Sequence, residues 1–376
     1  MARDARAASA YVAAVLPSAI FKQQPEDFVV DELDAYPAAG EGSHTIIRIR
    51  KRGLTTDAAI SRLAAALTID RRGVGAAGIK DKDAITTQRL SLPGVPPETA
   101  MALAGKWPDL EVLEAARHGN KLKPGHLHGN RFVIRLRAID AGAIDGVASA
   151  LQRIVVEGCP NAFGPQRFGR DGDNATRALA FVRGEQRPPR DPRERRFLFS
   201  ALQSRWFNRV LEERVADGSW RVPAAGDLLK KHDTGGLFRC EDVEADRARA
   251  ARGEVSPTGP IFGVKMPHPG DDVLARELTA LRADGLELQH LEAHRALGEG
   301  TRRALRLLVA EMSVAREGAD GLVVSMTLPK GAYATTVLGA VVELRRPPPP
   351  PQSERVEAND AGPGTHDDPD DAPLGD

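Results

Sequence analysis

The segment RRGVGAAGIKDKDAITTQ sets two carboxylates, Asp81 and Asp83, among lysines, and several chemistries compete for it. Gly73 and Gly78 have the spacing of a phosphate loop, but such a loop needs a lysine directly after its last glycine and a hydroxyl next. Here Ile79 intervenes and Asp81 follows Lys80, which argues against nucleotide phosphate binding. A divalent metal would use Asp81 and Asp83 together, because residues two apart on a strand face one way. No conspicuous second pair of aspartates completes that site. A third reading makes Asp81 a single carboxylate flanked by Lys80 and Lys82, kept ionised and nucleophilic by neighbouring cations. A surface turn of alternating charge fits the same four residues.

Other nucleophiles and ligands are poorly supported. His126 and His128 bracket one leucine, and His290 and His294 lie four apart, without cysteines or an H-E-x-x-H pattern to make a zinc site. There is no G-x-S-x-G elbow, and Cys159 and Cys240 form neither a CxxC nor a disulfide framework. Four further segments combine rings, amides and basic groups. FKQQPEDFVVDE holds Lys22, Glu26 and Phe28, and LHGNRF holds Asn130 and Arg131. CPNAFGPQRFGRDGDN holds Phe163, Arg167 and Phe168, and LPKGAYATTV holds Tyr333. Flat rings, a side-chain amide and arginines are the groups that hold an unstacked base in RNA recognition. Core packing explains any one of those rings; their joint occurrence points to RNA.

The elements that must position these groups are mixed. SHTIIRIRKR and NRFVIRLRA alternate as half-buried strands do. In the second, Phe132, Ile134 and Leu136 share one face, and Arg131, Arg135 and Arg137 share the other, where a phosphate backbone could lie. Thr56 is the expected N-cap of a helix whose stripe is Ile60, Leu63, Ala64 and Leu67. Ile144, Val147, Leu151, Ile154 and Val155 form a second helical stripe, and Phe197, Leu198, Ala201, Leu202 and Leu211 a third. GLVVSMTL reads as a strand, PKG as a turn, and AYATTVLGAVVEL as one helix. Between about residues 159 and 300 strand signals thin out and Arg/Asp/Pro-rich loops interrupt helical stretches. That texture predicts a mostly helical unit inserted into a strand-rich one.

The bulk composition sets the class. The chain has 376 residues, 41% hydrophobic and 28% charged, enough for two structural units of an ordinary soluble protein. No stretch approaches the roughly 20 apolar residues of a membrane span. The segment ARAASAYVAAVLPSAIF imitates a secretion signal, but Arg3, Asp4 and Arg6 are mixed in sign, and a cytoplasmic location is expected. The formal charge of zero hides an asymmetry: residues 347–376 carry eight acidic groups and one basic, leaving +7 on residues 1–346. A basic body suits a polyanionic partner. Five prolines open the acidic tail, whose composition predicts disorder.

Seven segments in this order resemble the TruD family of tRNA pseudouridine synthases. They are FKQQPEDFVVDE, AGIKDKDAITTQ, LKPGHLHGNRF, GCPNAFGPQRFGRDGDN, PTGPIFG, GTRRALRL and LPKGAYATTV. The resemblance implies an α+β fold: a pseudouridine-synthase catalytic domain with a mixed, mainly antiparallel sheet, plus an inserted, mostly helical family-specific domain. The expected division is 1–158 and 305–346 for the catalytic domain, 159–304 for the insertion, and 347–376 for the tail. It implies tRNA as substrate, uridine-13 as the usual target, Asp81 as the catalytic aspartate, and no cofactor or metal. Phe28, Asn130 and Tyr333 fall at positions that contact the target nucleotide, and Lys22 matches a motif lysine. Phe28 and Tyr333 are expected to wall the pocket, and Asn130 to orient Asp81 or the ribose. Lys22, Arg131 and Arg167 are expected to hold nearby phosphates or order the site. A monomer is expected. Ala162, where the family commonly has tyrosine, and GAVVEL, where it often has Arg-Glu-Leu, depart from the pattern.

Overall fold

A computed structural model describes residues 16–169 and 171–347. The predicted tail therefore lies outside the described residues, Pro347 excepted. The chain divides into two compact units. One comprises Leu16–Val155, Val309–Ala334 and, of the described residues, 341–347; the other comprises Val156–Leu308 and Thr335–Ala340.

The first unit is built on an eight-stranded sheet. Its strands are β1 (Phe28–Asp34), β2 (His44–Arg52), β3 (Gly75–Ala76), β4 (Ile85–Pro93), β5 (Leu110–His118), β6 (Leu127–Leu136), β7 (Ala310–Glu317) and β8 (Gly321–Pro329). They run in the order β7-β8-β6-β1-β4-β2-β5, with β3 paired to β4. Only β1 and β4 are parallel; every other pairing is antiparallel. The sheet is thus mixed and mainly antiparallel, as expected.

Strand alternation sorts the side chains by face. Phe28 and Val30 of β1, Ile47 and Ile49 of β2, Leu90 and Leu92 of β4, and Phe132 and Ile134 of β6 are all buried. The helix Thr56–Leu67 buries Ala59 and Leu63 in one cluster with Ile47, Ile49, Leu90 and Leu92. Its cap is Thr55, not Thr56: the Thr55 side chain accepts from the Ala58 amide, 3.1 Å away. Thr56 begins the helix and spends its hydroxyl elsewhere. The helix Ile144–Glu157 buries Ile144, Val147, Leu151 and Ile154, while Val155, read as part of that stripe, is exposed. Ile154 already supplies the i+3 step from Leu151, and its successor turns away by about 100°.

One reading of the C-terminal stretch needs correction. AYATTVLGAVVEL is not a single helix: Ala334–Gly339 is helical, and Glu343–Arg345 is a strand paired in parallel with Ser18–Ile20. Gly339 is a poor helix former and the β-branched Val341 and Val342 favour extended backbone.

The second unit centres on the helix Pro192–Ala216. Asp191 caps it and Pro192 opens it. Leu198, Phe199, Leu202, Trp206 and Val210 of this helix pack with Phe262, Met266 and Leu281. Beside the helices runs an antiparallel sheet in the order Leu237–Arg239, Leu228–Lys231, Val255–Ile261, Thr301–Ala304. These strands were not legible because they are short, and the longest, VSPTGPI, is buried on both faces and interrupted by prolines. Among the described residues no helix is long and apolar enough to cross a membrane.

Candidate active site

In the first unit, polar groups interrupt the apolar face of the sheet near its middle, between the Phe28–Ile134 pair and the Leu90–Ile47 pair. The alternation Phe28, Val30, Glu32 places a carboxylate on the buried face, and Ile47, Ile49, Lys51 places an ammonium there. Glu32 is 2% exposed and Lys51 1%. Glu32 is the direct register partner of Asn130 in β6. Lys80 enters between them: its Nζ lies 2.8 Å from Glu32 Oε2 and donates to Asn130 Oδ1 at 2.6 Å. The other Glu32 oxygen accepts from the Arg89 amide at 3.0 Å.

The backbone around Asp81 is tied down from several sides. The Lys80 amide donates to Thr56 Oγ1 at 2.9 Å, and that hydroxyl donates to Gln88 Oε1 at 2.9 Å. Gln88 in turn donates to the Gly78 carbonyl at 3.2 Å. Lys51 Nζ donates to the carbonyls of Leu54 (2.6 Å), Asp81 (2.8 Å) and Lys80 (3.3 Å). Burial pushes the Lys51 ammonium down to about 8, with Asp81 opposing and Lys80 adding to the shift.

Asp81 itself is left partly open, its side chain 24% exposed, and forms an ion pair with the buried Lys22. The Lys22 backbone sits in the left-handed region at φ 55°, uncommon for a non-glycine residue and a sign that the position is imposed by its surroundings. The Lys22 ammonium stands 4.2 Å from the centroid of the Phe28 ring, which meets Phe132 edge-on at 6.0 Å. Burial opposes ionisation of Asp81, but the Lys22 cation, the Asp83 amide (3.0 Å from Oδ1) and Arg346 outweigh it. The carboxyl is held below its ordinary value.

This corrects the local reading of the KDKD segment. The cation on Asp81 is Lys22, 59 residues away, while Lys80 turns inward to Glu32 and Lys82 is exposed. Asp83 contributes its amide to Asp81; its carboxylate pairs with Arg346 at 2.9 Å, exposed. Asp81, Lys22, Phe28 and Asn130 therefore belong to one connected cluster, Asn130 through Lys80. Tyr333 stands half-buried between the turn after β8 and the helix Ala334–Gly339, four residues past the strand whose Leu328 pairs with Asn130. Arg131 is exposed and, next to Asn130 along β6, faces the opposite side of the sheet. Its neighbours there are already engaged: Arg135 bonds Glu317 at 3.0 Å and Arg137 grips Asp27 at 2.6 Å. Glu26 pairs with Arg52 at 2.7 Å. Arg167 belongs to the second unit, where it donates to Ser200 and, at 3.2 Å, to Ser204, with its guanidinium 5.8 Å from the Phe163 ring.

A partly open, ionised carboxylate on a rigid frame can act as a nucleophile or take a proton. Comparison with known proteins decides the family. The model of the family described as tRNA pseudouridine synthase D (TruD) matches residues 16–186 and 191–341. A protein named tRNA pseudouridine synthase D from Anaeromyxobacter dehalogenans is 46% identical over 336 residues, 87% of this chain and 94% of its own. The chain belongs to the tRNA pseudouridine synthase D family. A relative of the same name from Thermus thermophilus is 39% identical over 321 residues, 85% of this chain and 88% of its own. The crystal structure of a Methanosarcina mazei protein, provisionally described as a TruD, superposes with a TM-score of 0.73. It covers 88% of this chain and 95% of that one at 23% identity, which is a likeness of fold.

Within this TruD-family chain, two site residues were missed by sequence reasoning: Glu32 and Lys51. The available signal was a charged residue at an inward position of an alternating strand. Lys51 carries a direct prediction. Lys51→Met keeps the stem but removes the donor to three carbonyls, and each acceptor left buried without a partner costs about 1–3 kcal/mol. The variant is expected to unfold at lower urea and to lose kcat more than KM. Turnover and urea unfolding measured together check it; unchanged kcat would show that the Lys80–Asp81 backbone holds its place without Lys51.

Proposed function

We propose that this protein isomerises a uridine of tRNA, with uridine-13 the expected target, to pseudouridine, and that Asp81 is its catalytic group. The observation that carries the assignment is the Lys22–Asp81 ion pair: a buried cation keeps a partly open carboxylate ionised at neutral pH. The N1–C1′ bond breaks, the base turns, a C5–C1′ bond forms, C5 gives up its proton, and N1 takes one up. Atoms and electrons balance without an oxidant, a reductant or water. Ionised Asp81 can attack C1′, add to the base, or remove the C2′ proton; all three routes start from the carboxylate that Lys22 maintains. The target base must leave the stack, at a few kcal/mol that contacts in the site must offset.

In this reading Phe28 and Tyr333 wall the nucleotide, Asn130 and Lys80 fix its ribose or the loop that carries Asp81, and Arg131 and Arg167 meet phosphates away from the reacting base. Residues 159–304 serve as the family-specific insertion between two parts of the catalytic domain, a division supported by the compact unit Val156–Leu308. The protein acts as a monomer in the cytoplasm, on the tRNA found there. Tritium release from tRNA labelled at uridine C5 tests the reaction. Purified protein is expected to release it at the same rate with and without a chelator. Chelator-sensitive phosphate-ester cleavage in place of release would favour a metal-dependent site at Asp81 and Asp83.

A further inference from the structure

Ile79 has no assigned part in the site, yet it is 51% exposed. Single exposed apolar residues are ordinary on protein surfaces, but this one lies two residues before Asp81 in a segment whose backbone is held on both sides. The segment around it alternates: Lys80 turns in to Glu32 and is 6% exposed, while Ile79 before it and Asp81 after it turn outward. The flanking backbone is held by Gln88 at the Gly78 carbonyl, Thr56 at the Lys80 amide and Lys51 at the Lys80 and Asp81 carbonyls. An aliphatic side chain is thus presented to solvent on a rigid loop, two residues from Asp81. In the first unit, the other large apolar side chain exposed among the described residues is Val155, on a helix.

We infer that Ile79 is a wedge: it packs against the base adjoining the target uridine when that uridine leaves the stack. The inference rests on the uridine-isomerase reading above. Bending or opening a nucleic acid exposes the face of the neighbouring base, and apolar side chains inserted at such steps cover it. Ile79 supplies that surface without a hydrogen bond, so it acts at any base. It is a positioning residue; Asp81 performs the chemistry.

The test pairs changes on both partners. Wild-type protein, Ile79→Ala and Ile79→Leu are assayed for pseudouridine formation on one tRNA in three forms: intact, abasic on the 5′ side of the target, and abasic on the 3′ side. On intact tRNA, Ile79→Ala is expected to lower kcat/KM by about ten- to hundredfold, the effect of removing roughly two to three buried methylene-sized groups at about 0.8 kcal/mol each. Ile79→Leu should stay within about threefold of wild type, and both variants should melt at the wild-type temperature. On one of the two abasic forms the Ile79→Ala deficit should disappear, because the base it covers is gone. An equal deficit on all three forms, or none on intact tRNA, overturns the wedge. Absence of pseudouridine with wild-type protein would instead overturn the assigned reaction.

Discussion

Asp81→Asn should bind tRNA, melt as a folded protein, and make pseudouridine at least roughly 10⁴-fold more slowly than wild type, in line with the loss of a single essential catalytic group. The substitution keeps the side-chain shape, so the backbone bonds from Lys51 and from the Asp83 amide to an oxygen at this position can persist. What disappears is the negative charge. An amide neither attacks C1′ or the base nor removes a proton, so all three routes open to Asp81 close together. Gel-shift affinity, thermal melting and single-turnover rates on one preparation separate these effects. A variant with weak binding and normal turnover at saturation would make Asp81 a binding residue only.

Lys22→Met should be the next most damaging change. Methionine preserves an apolar stem over Phe28 but removes the ammonium, which stands 4.2 Å from that ring in the wild type. Burial then acts on Asp81 with less opposition, and its pKa rises. A roughly 10²-fold or greater fall in kcat is expected, the scale typical of one lost electrostatic contact in an active site. The sign of the pH effect follows. In the wild type, the depressed Asp81 contributes stability that is present above the ordinary carboxyl pKa of 3.8 and is lost as pH falls through the depressed value. Lys22→Met loses that contribution, and the acid limb of its kcat/KM profile moves upward. Profiles from pH 4 to 8 for both proteins measure it; coincident acid limbs would mean that Lys22 does not set the charge of Asp81.

The sequence made much of the frame legible, because alternation and helical period are local. SHTIIRIRKR became β2 and GLVVSMTL became β8, and the stripe through Leu63 packs as read. The site was harder, because its decisive contacts are long-range. Lys80 and Lys82 are adjacent to Asp81 in sequence, yet the charge that matters comes from Lys22 across 59 residues. Strand alternation also explains why Arg131 and Asn130, read together from one motif, face opposite sides of the sheet. The buried strand Val255–Ile261 escaped notice for a different reason: two prolines and a glycine erase the periodic signal, while pairing on both sides restores the strand. Glu32 and Lys51 lay in plain alternating patterns. Only the strand register shows that both lie on the buried face.

We propose that this chain makes pseudouridine in tRNA through Asp81. Nucleotide-resolution mapping of pseudouridine in an unmodified tRNA, after incubation with purified wild-type protein and with Asp81→Asn in parallel, tests it most directly. One new pseudouridine at position 13 with wild type, and none with Asp81→Asn, is the result predicted. Pseudouridine formed at an undiminished rate by Asp81→Asn, or none formed by the wild type, would contradict it.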